Sequence, residues 1–191
     1  MGMTKTRCGW VTSDPLYLDY HDHEWGKPQY DGLKLFEKIC LEGQQAGLSW
    51  ITVLKKRDEY RRCFFYFDPV KIVQMTQADV EQLLQNKGLI RNRLKINGIV
   101  KNAQAYLAMQ QNGEDFSQFI WSFVDGKPIV NHFHSLAEVP ASTPISDVMS
   151  KALKKRGFTF VGSTICYAFM QSMGLVDDHI MDCYVKQNRD Q

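Results

Sequence analysis

No apolar run in this chain approaches the roughly 20 residues that a membrane-spanning helix requires. Alternating apolar and polar stretches are also missing, so no convincing strand is expected. Met1 to Arg7 carries no apolar segment, so neither a signal peptide nor export is expected, and the expected location is the cytoplasm. The cysteines number five, an odd count that argues against a disulfide framework. Neither sign of charge dominates: 23 Lys and Arg stand against 21 Asp and Glu, a net charge of +2 that alone says nothing about a polyanionic partner. Repeats and low-complexity tracts are absent. What remains is ordinary globular material, 191 residues with 44% hydrophobic and 23% charged side chains, enough to bury a core.

Charge is informative in its distribution. Asn86 to Lys101 holds Lys87, Arg91, Arg93, Lys95 and Lys101 and no acid, and Val148 to Val176 holds Lys151, Lys154, Lys155 and Arg156 and no acid. Two basic stripes on a near-neutral chain suit a polyanion bound along one face.

Helical periodicity runs through most of the sequence. It predicts helices over 33–42, from Trp50 to Phe65, and from Asp68-Pro69 onward, where proline suits a first helical position. Thr76 and Asp79 form a capping-box-like start for a helix that ends at Asn86-Lys87-Gly88. Further helices are expected from about Arg91 to Gln111, over 116–123, from a Ser146 cap to Arg156, and over 162–173, with a polar surface connection over 135–144. The predicted class is all-α.

Cys40, Cys63 and Cys166 lie in apolar stretches and read as buried free thiols. Cys8 and Cys183 lie near the ends in histidine-bearing company. His179 and Cys183 are four apart, which on a helix projects both from one face. Each half of the pattern lacks two ligands, and Cys8 with His21, in a loop-like segment, would complete a closed tetrahedral set of structural zinc type. His23 is an alternative to His21 that spacing does not decide. A metal joining the two ends would tie down segments that otherwise fray.

Between Tyr17 and Trp50 lie Tyr17, Tyr20, Trp25, Glu42 and Trp50. Flat aromatic faces beside a carboxylate suit a base turned out of a duplex, doubly so a cationic methylated purine. Glu42 follows an apolar helix face and precedes the uncharged run Gly43 to Ile51, so it is expected buried with no cation nearby in sequence. Asn86 to Arg93 reads as two helices joined by a glycine turn, an arrangement that aims amides and bases at phosphates. From the residues alone the chain is a zinc-bearing helical DNA binder. An enzyme that uses zinc for catalysis would need an open ligand position.

Eight segments together resemble one family: R-C-G-W at 7–10, D-P-L-Y at 14–17, Y-H-D-H-E-W-G at 20–26, L-E-G-Q-Q-A-G-L-S-W-I-T-V-L-K-K-R at 41–57, F-D-P-V-K at 67–71, S-K-A-L-K-K-R-G-F at 150–158, F-V-G-S-T-I-C-Y at 160–167 and G-L-V-D-D-H at 174–179. They resemble the 3-methyladenine DNA glycosylase I family, of the helix-hairpin-helix glycosylase superfamily. The resemblance implies an all-α helix-hairpin-helix glycosylase fold, its N- and C-terminal segments joined by one structural Zn2+ on Cys8, His21, His179 and Cys183. One domain over 1–191 is implied, with zinc-tied segments 7–30 and 158–185, a helical core over 31–157, and the hairpin near 86–92. The implied activity is hydrolysis of the N-glycosidic bond of 3-methyladenine in double-stranded DNA, without strand cleavage, by a monomer. Glu42 would be the catalytic, base-reading carboxylate, Tyr20 and Trp50 would stack the base, and Tyr17 and Trp25 would line the pocket. Gly47 and Leu48 would approach the gap left by the flipped nucleotide, while Lys87, Arg91, Arg93, Ser163 and Thr164 would meet the DNA. Related superfamily members use an Asp beyond the hairpin. The helix after it here has no acid, in keeping with a lesion whose own positive charge weakens its bond.

Overall fold

The computed structural model describes residues 4–189, so the outermost residues of the expected 1–191 domain lie outside the description. Helices are α1 (Pro15–His23), α2 (Gly32–Gln44), α3 (Trp50–Leu54), α4 (Arg57–Cys63), α5 (Pro69–Ile72), α6 (Gln77–Leu83), α7 (Arg93–Gln111), α8 (Phe116–Trp121), α9 (Pro144–Lys155), α10 (Ser163–Ser172) and α11 (Tyr184–Arg189).

Short polar side chains start most of them. Asp14, Asp31, Asp68, Asn92 and Asp115 each accept a bond from a first-turn amide, and Pro15 and Pro69 stand at first helical positions. The Thr76–Asp79 capping box forms as its spacing predicts. The cap of α9 is a correction: Thr143, not Ser146, caps it, because Pro144 can begin the helix and Ser146 then completes the box from its third position.

Other boundaries also moved. The single helix expected from Trp50 to Phe65 is broken into α3 and α4, followed by a 3-10 turn over Phe65–Phe67. All three residues of that turn have positive φ, with the exposed Tyr66 between the buried Phe64 and Phe67. Helix α7 begins at Arg93, where Asn92 caps it, rather than near Arg91. Helices α1 and α11 were not expected. Nor were two residue pairs of parallel strand, β1 (Ile129–Val130) beside β2 (Val176–Asp177), too short to alternate visibly.

Helix α2 is the centre of the fold. Leu35, Phe36 and Ile39 are fully enclosed, and it packs against α7, α8 and α10. A second apolar cluster joins the two ends of the chain through Cys8, Tyr17, Tyr20, Trp25, Leu54, Cys183 and Val185. The site lies where this terminal cluster meets the last turns of α2. No described helix is long and apolar enough to cross a membrane.

Candidate functional site

Helix α1 presents Tyr17, Tyr20 and His21 at three- and four-residue spacing, and all three are buried. Helix α2 presents Lys38 and Glu42 one turn apart near its end, and α3 opens at Trp50. Between them lies a cavity of about 200 Å³ whose lining includes Tyr17, Tyr20, Trp25, Glu42 and Trp50, the whole expected pocket set. It also includes Trp10, Gln45, Gln171 and Asp178, for which the sequence had suggested no role. Trp10 packs within 5.0 Å of both the Tyr17 and Trp25 rings, and the Tyr20 and Trp50 rings are 5.6 Å apart.

Glu42 is 3% exposed, and burial raises its pKa against the opposing pull of Lys38. The expectation of no sequence-local cation is wrong. Lys38 Nζ stands 3.6 Å from Glu42 Oε1, one helical turn back, a pairing that helix spacing could have revealed. The ammonium also lies 3.6 Å from the Trp50 ring centre and 4.5 Å from that of Tyr20, and donates to the Tyr20 hydroxyl at 2.5 Å. Burial lowers its pKa to about 8. Gln45 Nε2 donates to Glu42 Oε2 at 2.5 Å.

Beside the cavity, ligand-type atoms of Cys8, His21 and Cys183 all lie within 4.8 Å of one another. His179 is adjacent, its ring centre 5.3 Å from that of His21. The exposed His23 pairs with Asp19 at 2.9 Å, outside this group. His179 and Cys183 do not share a helix face as expected. They lie on irregular chain before α11, which begins only at Tyr184. Both histidines hold Nδ1 against a carboxylate, His21 on Asp22 at 2.8 Å and His179 on Asp177 at 2.9 Å. Arg7 grips Asp22 with two bonds, and Lys186 and Arg189 flank Asp177. His179 Nε2 is buried with no hydrogen-bond partner among the described residues. A hydrogen bond shared between the two thiols drives the pKa of Cys183 down and that of Cys8 up. Cys40 and Cys166 are buried as expected, and Cys63 is half-buried.

The residues expected to face DNA are scattered. Gly47 has φ +76° and open space where a side chain would be, and the next residue, Leu48, is 47% exposed. Lys87 and Arg91 are exposed, and Arg93 is exposed but paired with Glu81. Lys95 does not belong to the basic stripe: it is buried, and its ammonium caps the α2 end by donating to the carbonyls of Gln44 at 2.9 Å and Ala46 at 2.6 Å. The Ser163 hydroxyl bonds Asp147 at 2.6 Å and meets the Ser146 hydroxyl at 2.8 Å, while Thr164 is exposed.

Fold and cavity together define a helical protein whose site is an aromatic-walled slot with buried carboxylates, the chemistry of a receptor for a planar cationic ring. The chain belongs to the methyladenine glycosylase family, whose sequence model matches residues 10–187. It is 65% identical over 181 residues to the DNA-3-methyladenine glycosylase of Haemophilus influenzae, covering 95% of this chain and 98% of that one. A crystal structure of a 3-methyladenine DNA glycosylase I superposes with a TM-score of 0.93 at 64% identity, over 94% of this chain and 98% of the other. A variant of a 3-methyladenine DNA glycosylase I, in complex with 3-methyladenine, superposes with a TM-score of 0.90 at 40% identity, over 94% and 96% of the two chains.

Proposed function

We propose that this protein hydrolyses the N-glycosidic bond of 3-methyladenine in alkylated double-stranded DNA, initiating base excision repair. The observation that carries the reading is Glu42, buried beside the Tyr20 and Trp50 rings in a cavity of about 200 Å³. The flipped base stacks on Tyr20 and Trp50, with Tyr17 and Trp25 enclosing it and Glu42 reading its edge. A 3-methylated adenine is cationic, so when the bond from C1′ to N9 breaks, its electron pair neutralises the base. Water adds its oxygen to C1′ and loses one proton to solvent. No general acid is needed. The protein's task is to select the base and stabilise positive charge on the sugar.

The connection from α6 to α7 serves in this reading as a helix-hairpin-helix grip on phosphates, with Lys87, Arg91 and Arg93 nearby. The Gly47-Leu48 turn enters the gap in the duplex. Thr164 suits a phosphate contact better than Ser163, whose hydroxyl is engaged with Asp147. We read the chain as one cytoplasmic, monomeric domain.

Cys8, His21, His179 and Cys183 would hold one zinc ion. Two thiols, two imidazoles steadied by carboxylates, and the orphaned His179 Nε2 fit that group. Four ligands leave no open position, so bound zinc would tie the termini and supply no catalysis. The test of the function is release of 3-methyladenine from methylated duplex DNA. No release, or equal release from a Glu42→Gln variant, would refute the proposed function or the role of Glu42 respectively.

A further inference from the structure

Asp178 is a second buried carboxylate on the same cavity, 2% exposed, alongside Glu42 and Gln171. Its three hydrogen-bond donors are all neutral. Asn131 Nδ2 donates to Oδ1 at 2.7 Å, Gln171 Nε2 to Oδ2 at 3.0 Å, and the Tyr167 hydroxyl to Oδ2. No Lys, Arg or His among the described residues forms an ion pair with it. The neighbouring carboxylates differ. Glu42 has Lys38, Asp22 has Arg7, and Asp177 has Lys186 and Arg189.

Neutral donors satisfy a carboxylate's lone pairs without cancelling its charge, whereas an ammonium 3.6 Å from Glu42 cancels most of that residue's field at a distance. We propose that Asp178, the carboxylate on the cavity wall with no ion-pair partner of its own, supplies negative charge against which a cationic base and the positive sugar of the transition state are stabilised. Glu42 then reads the base edge as half of an ion pair, and Asp178 sets the potential. The proposal rests on the glycosylase reading above.

Three variants test it in single-turnover release of 3-methyladenine from duplex DNA. Asp178→Asn removes the charge and keeps the shape. Gln171→Lys keeps Asp178 but places an ammonium beside it, and Gln171→Leu removes the same donor without adding charge. Asp178→Asn and Gln171→Lys are expected to lose about 100-fold in rate, the scale of one preorganised charge-stabilising group. Gln171→Leu is the reference that carries the loss of the donor alone, and the Gln171→Lys rate should fall well below it. Should Asp178→Asn fail to fold, the contrast between the two Gln171 variants decides the matter. Equal rates for Gln171→Lys and Gln171→Leu, or an Asp178→Asn rate within threefold of wild type, would overturn the proposal. A wild-type protein that releases no base would count against the glycosylase reading instead.

Discussion

Burial prepares Glu42 before any substrate arrives. Enclosure raises its pKa, the Lys38 ammonium one turn away lowers it, and burial wins. If the ionised carboxylate is needed, activity is present above this raised pKa and is lost as pH falls through it. The acid limb of the single-turnover rate profile should therefore have its midpoint above the ordinary glutamate value of about 4.3. Lys38→Met removes the opposing cation and should move that limb to still higher pH, and an unmoved limb would break the link between the two residues. At neutral pH, Glu42→Gln should reduce the rate by about 100-fold or more while the circular dichroism spectrum is unchanged. Sequence spacing held the Lys38–Glu42 pair in plain view, as i and i+4 of one helix. It did not reveal that the side of α2 carrying both faces aromatic rings, since the residue pattern of one helix says nothing about its neighbours.

At the scale of elements, two joints decide where the site sits. The first lies after α10, where Gly174 has φ +77° and an added Cβ would come within 2.4 Å of Pro28 N and 2.5 Å of Lys27 C. Backbone 26–29 docks there, with the amides of Gly26 and Gln29 donating to the carbonyls of Ser172 and Met173. Gly174→Ala combines a left-handed backbone penalty with a clash against main chain, so a loss of at least about 2 kcal/mol is expected. Thermal unfolding should report a Tm lowered by on the order of 5 °C. The second joint is Lys95, which reaches from α7 to the carbonyls at the end of α2. Lys95→Met leaves those carbonyls without their donor, at a cost of about 1–3 kcal/mol. It should also weaken duplex binding in a titration, because the loosened segment runs directly into Gly47-Leu48. Unchanged DNA affinity would confine Lys95 to a stability role.

Across the whole molecule, the two ends of the chain meet in one cluster that contains Cys8, His21 and Cys183 and also borders the cavity. Elemental analysis of the purified protein should find about one zinc per chain. Chelation or Cys183→Ala should lower the Tm and speed proteolysis within the terminal segments, since the binding energy of a structural metal is folding energy. A metal-free protein with an unchanged melting curve would remove the proposed tie.

Local chemistry decided what the sequence could determine alone. Caps and periodicity set most helices, because an N-cap side chain and an apolar stripe act within one or two turns. Residue type nominated Cys8, His179, Cys183 and either His21 or His23, the family resemblance chose His21, and residue type also nominated the aromatics around Glu42. The tertiary structure decided which of these meet. It put His21 rather than His23 into the terminal cluster, took Lys95 out of the basic stripe, and placed His179 and Cys183 on irregular chain. It also brought Asp178 to the cavity wall from more than a hundred residues beyond Glu42. Charge balance inside a cavity is a sum over elements distant in sequence, so it exists only once they are packed.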